Sequence, residues 1–179
     1  MSLEEDILLA KRCARGEESA MRILFAAHEP RLRNLASRNL GSEQDGEEVA
    51  VATFLRFWKA AGKYRGDCPL RTYLTRICLN LIRDRARKSK PPPQVPLKDC
   101  ESVLRWEIAD EDGRGEIVRT GLLALSIEDR EVLTLYYIED MSYDELCLVY
   151  DIGYDVLRTR LVRARQRLRA TIGAIDESV

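Results

Sequence analysis

The chain has 179 residues, with 29 Lys and Arg against 30 Asp and Glu and a single His, for a formal net charge of −1. That length holds one globular domain or two small ones. The 45% apolar fraction excludes a disordered chain, and the scarcity of Gly (10), Pro (6) and aromatic residues (7%) argues against a turn-rich β fold.

A charge sum near zero, if evenly spread, would also argue against a polyanion-binding protein. The start, Met1-Ser2-Leu3-Glu4-Glu5-Asp6, is acidic where a secretory signal is basic and then apolar. The longest run without a charge, Thr120 to Ile127, is eight residues, far short of the roughly 18 a membrane helix needs, so no membrane insertion is expected.

In chain order, apolar periodicity predicts helices over Glu4–Cys13, punctuated by Gly16, over Glu18–His28, and over Arg31–Leu40, ended by Gly41. Asp45 to Lys59 reads as a long amphipathic helix with acids in its first turn, where the helix dipole favours them. Val49, Val51, Ala52, Phe54, Leu55, Phe57 and Trp58 cover more than one stripe of it, which suits a helix buried on two sides of a small bundle as well as one that keeps apolar surface for a partner helix. Gly62 to Pro69 is a loop, and it leads into a helix from Leu70 to Lys88.

In that helix Arg76, Asn80, Arg83 and Arg87 recur at intervals of 4, 3 and 4, so they share a face. Leu74, Ile77, Cys78 and Leu81 fall opposite and read as core. Tyr64 and Tyr73 border the basic face, and aromatics beside cations suit a binder of unstacked bases as well as they suit plain packing.

Lys90-Pro91-Pro92-Pro93-Gln94-Val95-Pro96 holds four of the six prolines and predicts a stiff, extended connector. The acidic stretch Asp99–Glu116 continues it, with a short helical turn around Val103-Leu104-Trp106. The fold class is therefore all-α: two small helical domains, 1–90 and 116–179, joined by a Pro-rich acidic linker at 91–115.

In the second domain Ile117–Ala124 is a short helix. Ser126 with Asp129 caps a helix over Ile127–Ile138, and Ser142 with Glu145 caps one over Tyr143–Tyr150. The turn Asp151-Ile152-Gly153 then opens a long helix from Tyr154 to Thr171. This last pair forms a helix-turn-helix, whose second helix enters a major groove. Leu157, Leu161, Ala164 and Leu168 form its apolar stripe, flanked by Arg158, Arg160, Arg163, Arg165, Arg167 and Arg169 with no acid among them. Forked guanidinium donors serve both for guanine edges and for phosphates.

The five cysteines, Cys13, Cys68, Cys78, Cys100 and Cys147, include no C-x-x-C, and His28 is the only imidazole. A zinc site with close ligand spacing is thereby excluded. The thiols read as small buried groups and His28 as structural. No phosphate loop, dinucleotide fingerprint or metalloprotease motif is present, so neither a cofactor nor a catalytic residue is expected.

The order Asp45…Phe54-Leu55-Arg56-Phe57-Trp58, Tyr64-Arg65-Gly66, Leu70-Arg71-Thr72-Tyr73-Leu74, Ile77, Asn80, Asp84-Arg85 resembles the second conserved region of extracytoplasmic-function (ECF) sigma factors. Leu125-Ser126…Arg130-Glu131-Val132-Leu133…Tyr137…Met141-Ser142-Tyr143-Asp144-Glu145-Leu146, then Leu157-Arg158-Thr159-Arg160-Leu161…Arg163-Ala164-Arg165, resembles the fourth.

The resemblance implies a dissociable subunit of bacterial RNA polymerase: cytoplasmic, without catalysis, and bound by core polymerase, promoter DNA and an anti-sigma factor. It implies polymerase contacts at Asp45, Glu48, Phe54, Leu55 and Trp58. It places the melted minus-ten strand against Tyr64, Arg65, Tyr73, Arg76, Asn80, Arg83 and Arg87. The duplex minus-thirty-five element falls to Arg158, Thr159, Arg160 and Arg163, with Arg130 near its phosphates.

Three positions depart from the family pattern. Val51-Ala52 stands where a Gln and an acid are usual, Tyr73 replaces Trp, and Asp151-Ile152-Gly153 replaces Gly-Ile-Pro. Two other readings stay open: a helix-turn-helix regulator that does not replace sigma, and a sigma-like decoy that sequesters an anti-sigma factor.

Overall fold

The computed structural model describes residues 2–88 and 114–176, all of whose regular elements are helical. The expected connector and the turn around Trp106 lie outside the described residues. The first unit contains α1 (Leu3–Ala14), α2 (Glu18–Leu40), α3 (Glu43–Ala60) and α4 (Leu70–Lys88), with a 3-10 turn at Ala61–Lys63. The second contains α5 (Arg114–Ala124), α6 (Ile127–Leu133), α7 (Tyr143–Tyr150) and α8 (Tyr154–Asp176).

Local chemistry sets most helix ends. Ser2 and Ser142 each close a capping box with the glutamate three residues on, and Ser42 and Ser126 each accept the amide of an aspartate at the same offset. Gly41 ends α2 in the left-handed conformation at φ 69°. The N-terminus of α4 is capped from far away: the Leu70 amide donates to the buried Asp6 carboxylate of α1 at 2.8 Å.

The expected break near Pro30 does not occur, and α2 runs unbroken through it. A proline inside a helix costs about 3 kcal/mol or more. Here Ala26, whose carbonyl loses its donor, and Pro30 both lie on the exposed side, while Leu24, Leu32, Leu35 and Ala36 are fully buried on either side of the break. Continuous burial of that stripe outweighs one lost hydrogen bond.

The contact between α2 and α3 is close because Gly46 has no side chain. A Cβ there would lie 1.9 Å from Ser37 Oγ and 2.9 Å from the Arg33 carbonyl. Gly46→Ala is expected to destabilise the protein by about 1–3 kcal/mol through overpacking, read from the urea midpoint.

The expected helix over Ile127–Ile138 is interrupted. After Leu133 the chain widens into a π turn at Thr134–Ile138, in which the Glu139 amide reaches back to Thr134 O at 3.0 Å. This extra residue per turn carries Glu139 to the first unit. There its carboxylate, 6% exposed, accepts from Arg31 at 3.1 Å and Arg38 at 3.3 Å, and its carbonyl accepts from Arg71 at 2.7 Å. The two units are thus packed together, and their buried apolar residues form one continuous cluster.

Candidate nucleic-acid and polymerase interfaces

The helix-turn-helix is built as expected. The capped α7 ends at Asp151, which takes the left-handed conformation at φ 55°, and α8 begins three residues later. Leu157, Leu161 and Ala164 are buried beneath α8, with Leu168 half-buried.

The six arginines of α8 divide into two classes. Arg158, Arg163 and Arg169 are exposed, with no ion pair among the described residues. Arg160 lies over the Tyr150 ring at 4.5 Å and donates to Glu128 O at 3.3 Å. Arg165 reaches the Tyr137 hydroxyl at 3.4 Å, and Arg167 pairs with Asp129 at 2.6 Å. Thr159 is exposed and donates to Asp155 O at 2.8 Å. An open groove between α6 and α8 is lined by Asp155, Val156, Thr159, Arg160 and Arg163, among others.

Arg130 is not on this surface. It is 7% exposed, and its guanidinium donates to the carbonyls of Leu122, Leu123 and Leu125 and, across the unit boundary, of Asn39. Burial pushes its pKa down to about 10, with Glu131 opposing the shift. It is a bracket for the turn after α5, and its expected phosphate contact is corrected on that geometry.

On α4, Asn80 and Arg87 are exposed, and Arg87 pairs with its neighbour Asp84 at 2.8 Å. Arg65 is exposed on the loop before α4, while Arg76 is half-buried. Arg83 is engaged with the second unit: its guanidinium makes a forked contact to Glu131 at 2.6 and 3.0 Å. The expected base platform is largely packing. Tyr64 is 8% exposed with its hydroxyl donating to Cys68 O at 2.8 Å, and Tyr73 meets Tyr64 and Phe57 edge-on.

The α3 surface also differs from expectation. Phe54 is 3% exposed and packs against Phe25, with ring centroids 4.8 Å apart, so it is core and offers nothing to a partner. Asp45 and Glu48 both pair with Arg85 of α4. The exposed apolar stripe is Val51, Leu55 and Trp58, at 48%, 59% and 36%. Val51, which departs from the family pattern, therefore lies in this exposed stripe. Three large apolar side chains one turn apart are the anchor pattern of a helix that docks on another helix.

Cys13, Cys68 and Cys78 are buried and Cys147 is half-buried, and burial pushes the Cys78 thiol up to about 12. Cys100 lies outside the described residues. His28 is half-buried, and burial lowers its pKa, keeping it neutral at pH 7. No group of metal-ligating side chains occurs among the described residues, and none of their helices is long and apolar enough to cross a membrane.

Comparison with known proteins agrees with this arrangement. Residues 24–91 match sigma-70 region 2, and residues 115–168 match sigma-70 region 4. The chain is 28% identical to the RNA polymerase sigma-H factor of Pseudomonas aeruginosa across 94% of both chains. It is 27% identical to the ECF sigma factor SigM of Mycobacterium tuberculosis, across 96% of this chain and 86% of that one.

Among solved structures it is similar to CnrH in complex with the cytosolic domain of CnrY. The TM-score is 0.70 at 29% identity, covering 94% of this chain and 97% of that one. The fold also matches RpoE of Bartonella quintana in complex with the anti-sigma factor NepR, with a TM-score of 0.60 at 19% identity over 85% and 96% of the two chains. With both conserved regions matched in order, and curated relatives covered over most of their length, the protein belongs to the ECF sigma factors of the sigma-70 family.

Proposed function

We propose that this alternative sigma factor docks on core RNA polymerase through Val51, Leu55 and Trp58 of α3, and reads its promoter with two separate surfaces. Arg158, Thr159 and Arg163 of α8 face the upstream duplex. Asn80, Arg87 and Arg65, joined by Arg83 once it is released from Glu131, face the melted downstream strand. The single observation that carries the upstream assignment is the division of α8: Arg158 and Arg163 point to solvent without an acidic partner among the described residues, while Arg160, Arg165 and Arg167 are held by the protein.

The protein acts by binding and carries no catalytic group of its own. Its place of work is the cytoplasm, where bacterial polymerase and promoters are. The solved relatives are held by CnrY and by the anti-sigma factor NepR, and a partner of that class is proposed here too. Each DNA contact is modest alone, and they become specific when the polymerase holds both at fixed separation.

Reconstitution with core polymerase and transcription from a genomic DNA library tests this reading, and absence of any discrete start site would overturn it. At the promoter so found, Arg158→Ala and Arg163→Ala are each expected to lower run-off transcription about tenfold to a hundredfold, since a good base contact is worth about 1–3 kcal/mol. The melting curve should not change, because both side chains are exposed. Undiminished transcripts from both variants would remove α8 from the promoter.

A further inference from the structure

The strongest unexplained feature is a buried charged contact between the two units. Glu131 lies on α6 with its carboxylate fully buried. Its forked partner Arg83 comes from α4, 48 residues earlier in the chain. Tyr150 of α7 lies beside them, with the Arg83 guanidinium 5.8 Å from its ring centre. A second clasp joins Glu139 to Arg31, Arg38 and the Arg71 guanidinium. Both acids come from the second unit and all four arginines from the first.

We infer that Glu131 and Glu139 form an intramolecular clasp that competes with nucleic acid for the arginine face of α4, so that the free sigma factor rests in a closed state. The inference rests on the reading of Arg83 as a nucleic-acid contact. Its first half, closure, stands on the geometry alone.

A carboxylate is the same kind of acceptor as a phosphate for a guanidinium fork. Arg83 cannot serve both, and while it serves Glu131 the face of α4 keeps Asn80 and Arg87 exposed but loses the guanidinium between them. Breaking a buried pair is costly when it strands a charge, yet here a second cation is at hand. Arg160 rests on the same Tyr150 ring at 4.5 Å, and its charge already acts on the Glu131 carboxylate. As the units part, Arg160 can take the carboxylate that Arg83 releases. The clasp is therefore strong enough to hold and cheap enough to exchange. Being buried, it is also less sensitive to salt than a surface pair.

The test uses the full chain with Glu131→Gln and Glu139→Gln combined, which removes both charges and keeps the shape. Two quantities are read: the radius of gyration by small-angle X-ray scattering, and the affinity for a fluorescein-labelled single-stranded oligonucleotide of random sequence by anisotropy. The variant is expected to expand and to bind the strand about tenfold more tightly than the parent, the gain of one freed guanidinium fork. An unchanged radius overturns the clasp. Expansion without tighter binding overturns the competition. Should the double variant fail to fold, Arg31→Gln with Arg38→Gln opens the same boundary from the other side and leaves Glu131 in place, with the same two readings. Transcription by the parent with core polymerase is scored separately, so a failure of the sigma reading is told apart from a failure of the clasp.

Discussion

Replacing Leu55 and Trp58 together by alanine will lower affinity for core RNA polymerase by about a hundredfold or more, with Tm nearly unchanged. Both side chains are largely in solvent, at 59% and 36% exposure, so the fold loses little when they are cut back. Binding loses much. A large apolar anchor at the centre of an interface is typically worth about 2 kcal/mol or more when truncated, and two adjacent anchors sum to less than twice that. The neighbouring Val51 widens the same stripe, and Val51→Gln should have a smaller effect in the same direction. Surface plasmon resonance with immobilised core polymerase measures this. Parent-like binding by the double variant would move the polymerase contact off α3. Phe54→Ala is the contrasting case: it should unfold the first unit rather than weaken its docking, because Phe54 fills the space against Phe25.

Arg130→Ala is expected to cost about 3 kcal/mol of stability and to lower Tm by roughly 6–12 °C for a chain of this size. One guanidinium serves the carbonyls of Leu122, Leu123, Leu125 and Asn39, all within a site that is almost closed to water. Alanine would leave those acceptors without donors and a cavity in place of the side chain. Arg130→Lys should recover little, since an ammonium cannot span four acceptors arranged around a planar fork. Differential scanning calorimetry reads both variants. A Tm shift under about 2 °C for the alanine variant would show that solvent replaces the lost donors and that Arg130 is not a bracket.

How far the sequence discloses this molecule depends on how local each determinant is. The limits of α4 and α7 follow from neighbours in the chain: Pro69 before Leu70, and Ser142 with Glu145 before a run of apolar residues. Both helices have their expected bounds. Pro30 is a local signal too, but the stripe on either side of it is buried by other helices, and that tertiary term decides.

The apolar residues of α3 are more numerous than one stripe requires. Which of Phe54 and Val51 turns inward depends on Phe25, 29 positions before Phe54, and periodicity holds no record of that neighbour. The same holds for the arginines. Spacing places Arg130 and Arg163 equally well near DNA, yet one is committed to a carbonyl 91 residues away while the other is free of any acid among the described residues. Glu131 ends the charged run Glu128-Asp129-Arg130-Glu131, so nothing in its neighbours marks it as the fully buried acid of the run. An acid held among apolar side chains requires a cation, and here it is Arg83.

The distant cap on α4 bears on how the protein is made. Asp6 belongs to α1, which is synthesised before α2, α3 and α4, and the amide it receives is that of Leu70. The carboxylate is buried in the finished unit and accepts no other hydrogen bond among the described residues, so α1 cannot settle until the start of α4 has been synthesised. Leu74, Leu79 and Ile82, all within a few per cent of full burial, then close the core over it. Folding of the first unit is therefore a late event in its own translation, set by a contact of long sequence separation. A pause or a truncation before residue 70 would release a chain in which α1, α2 and α3 are present without the helix that closes their core.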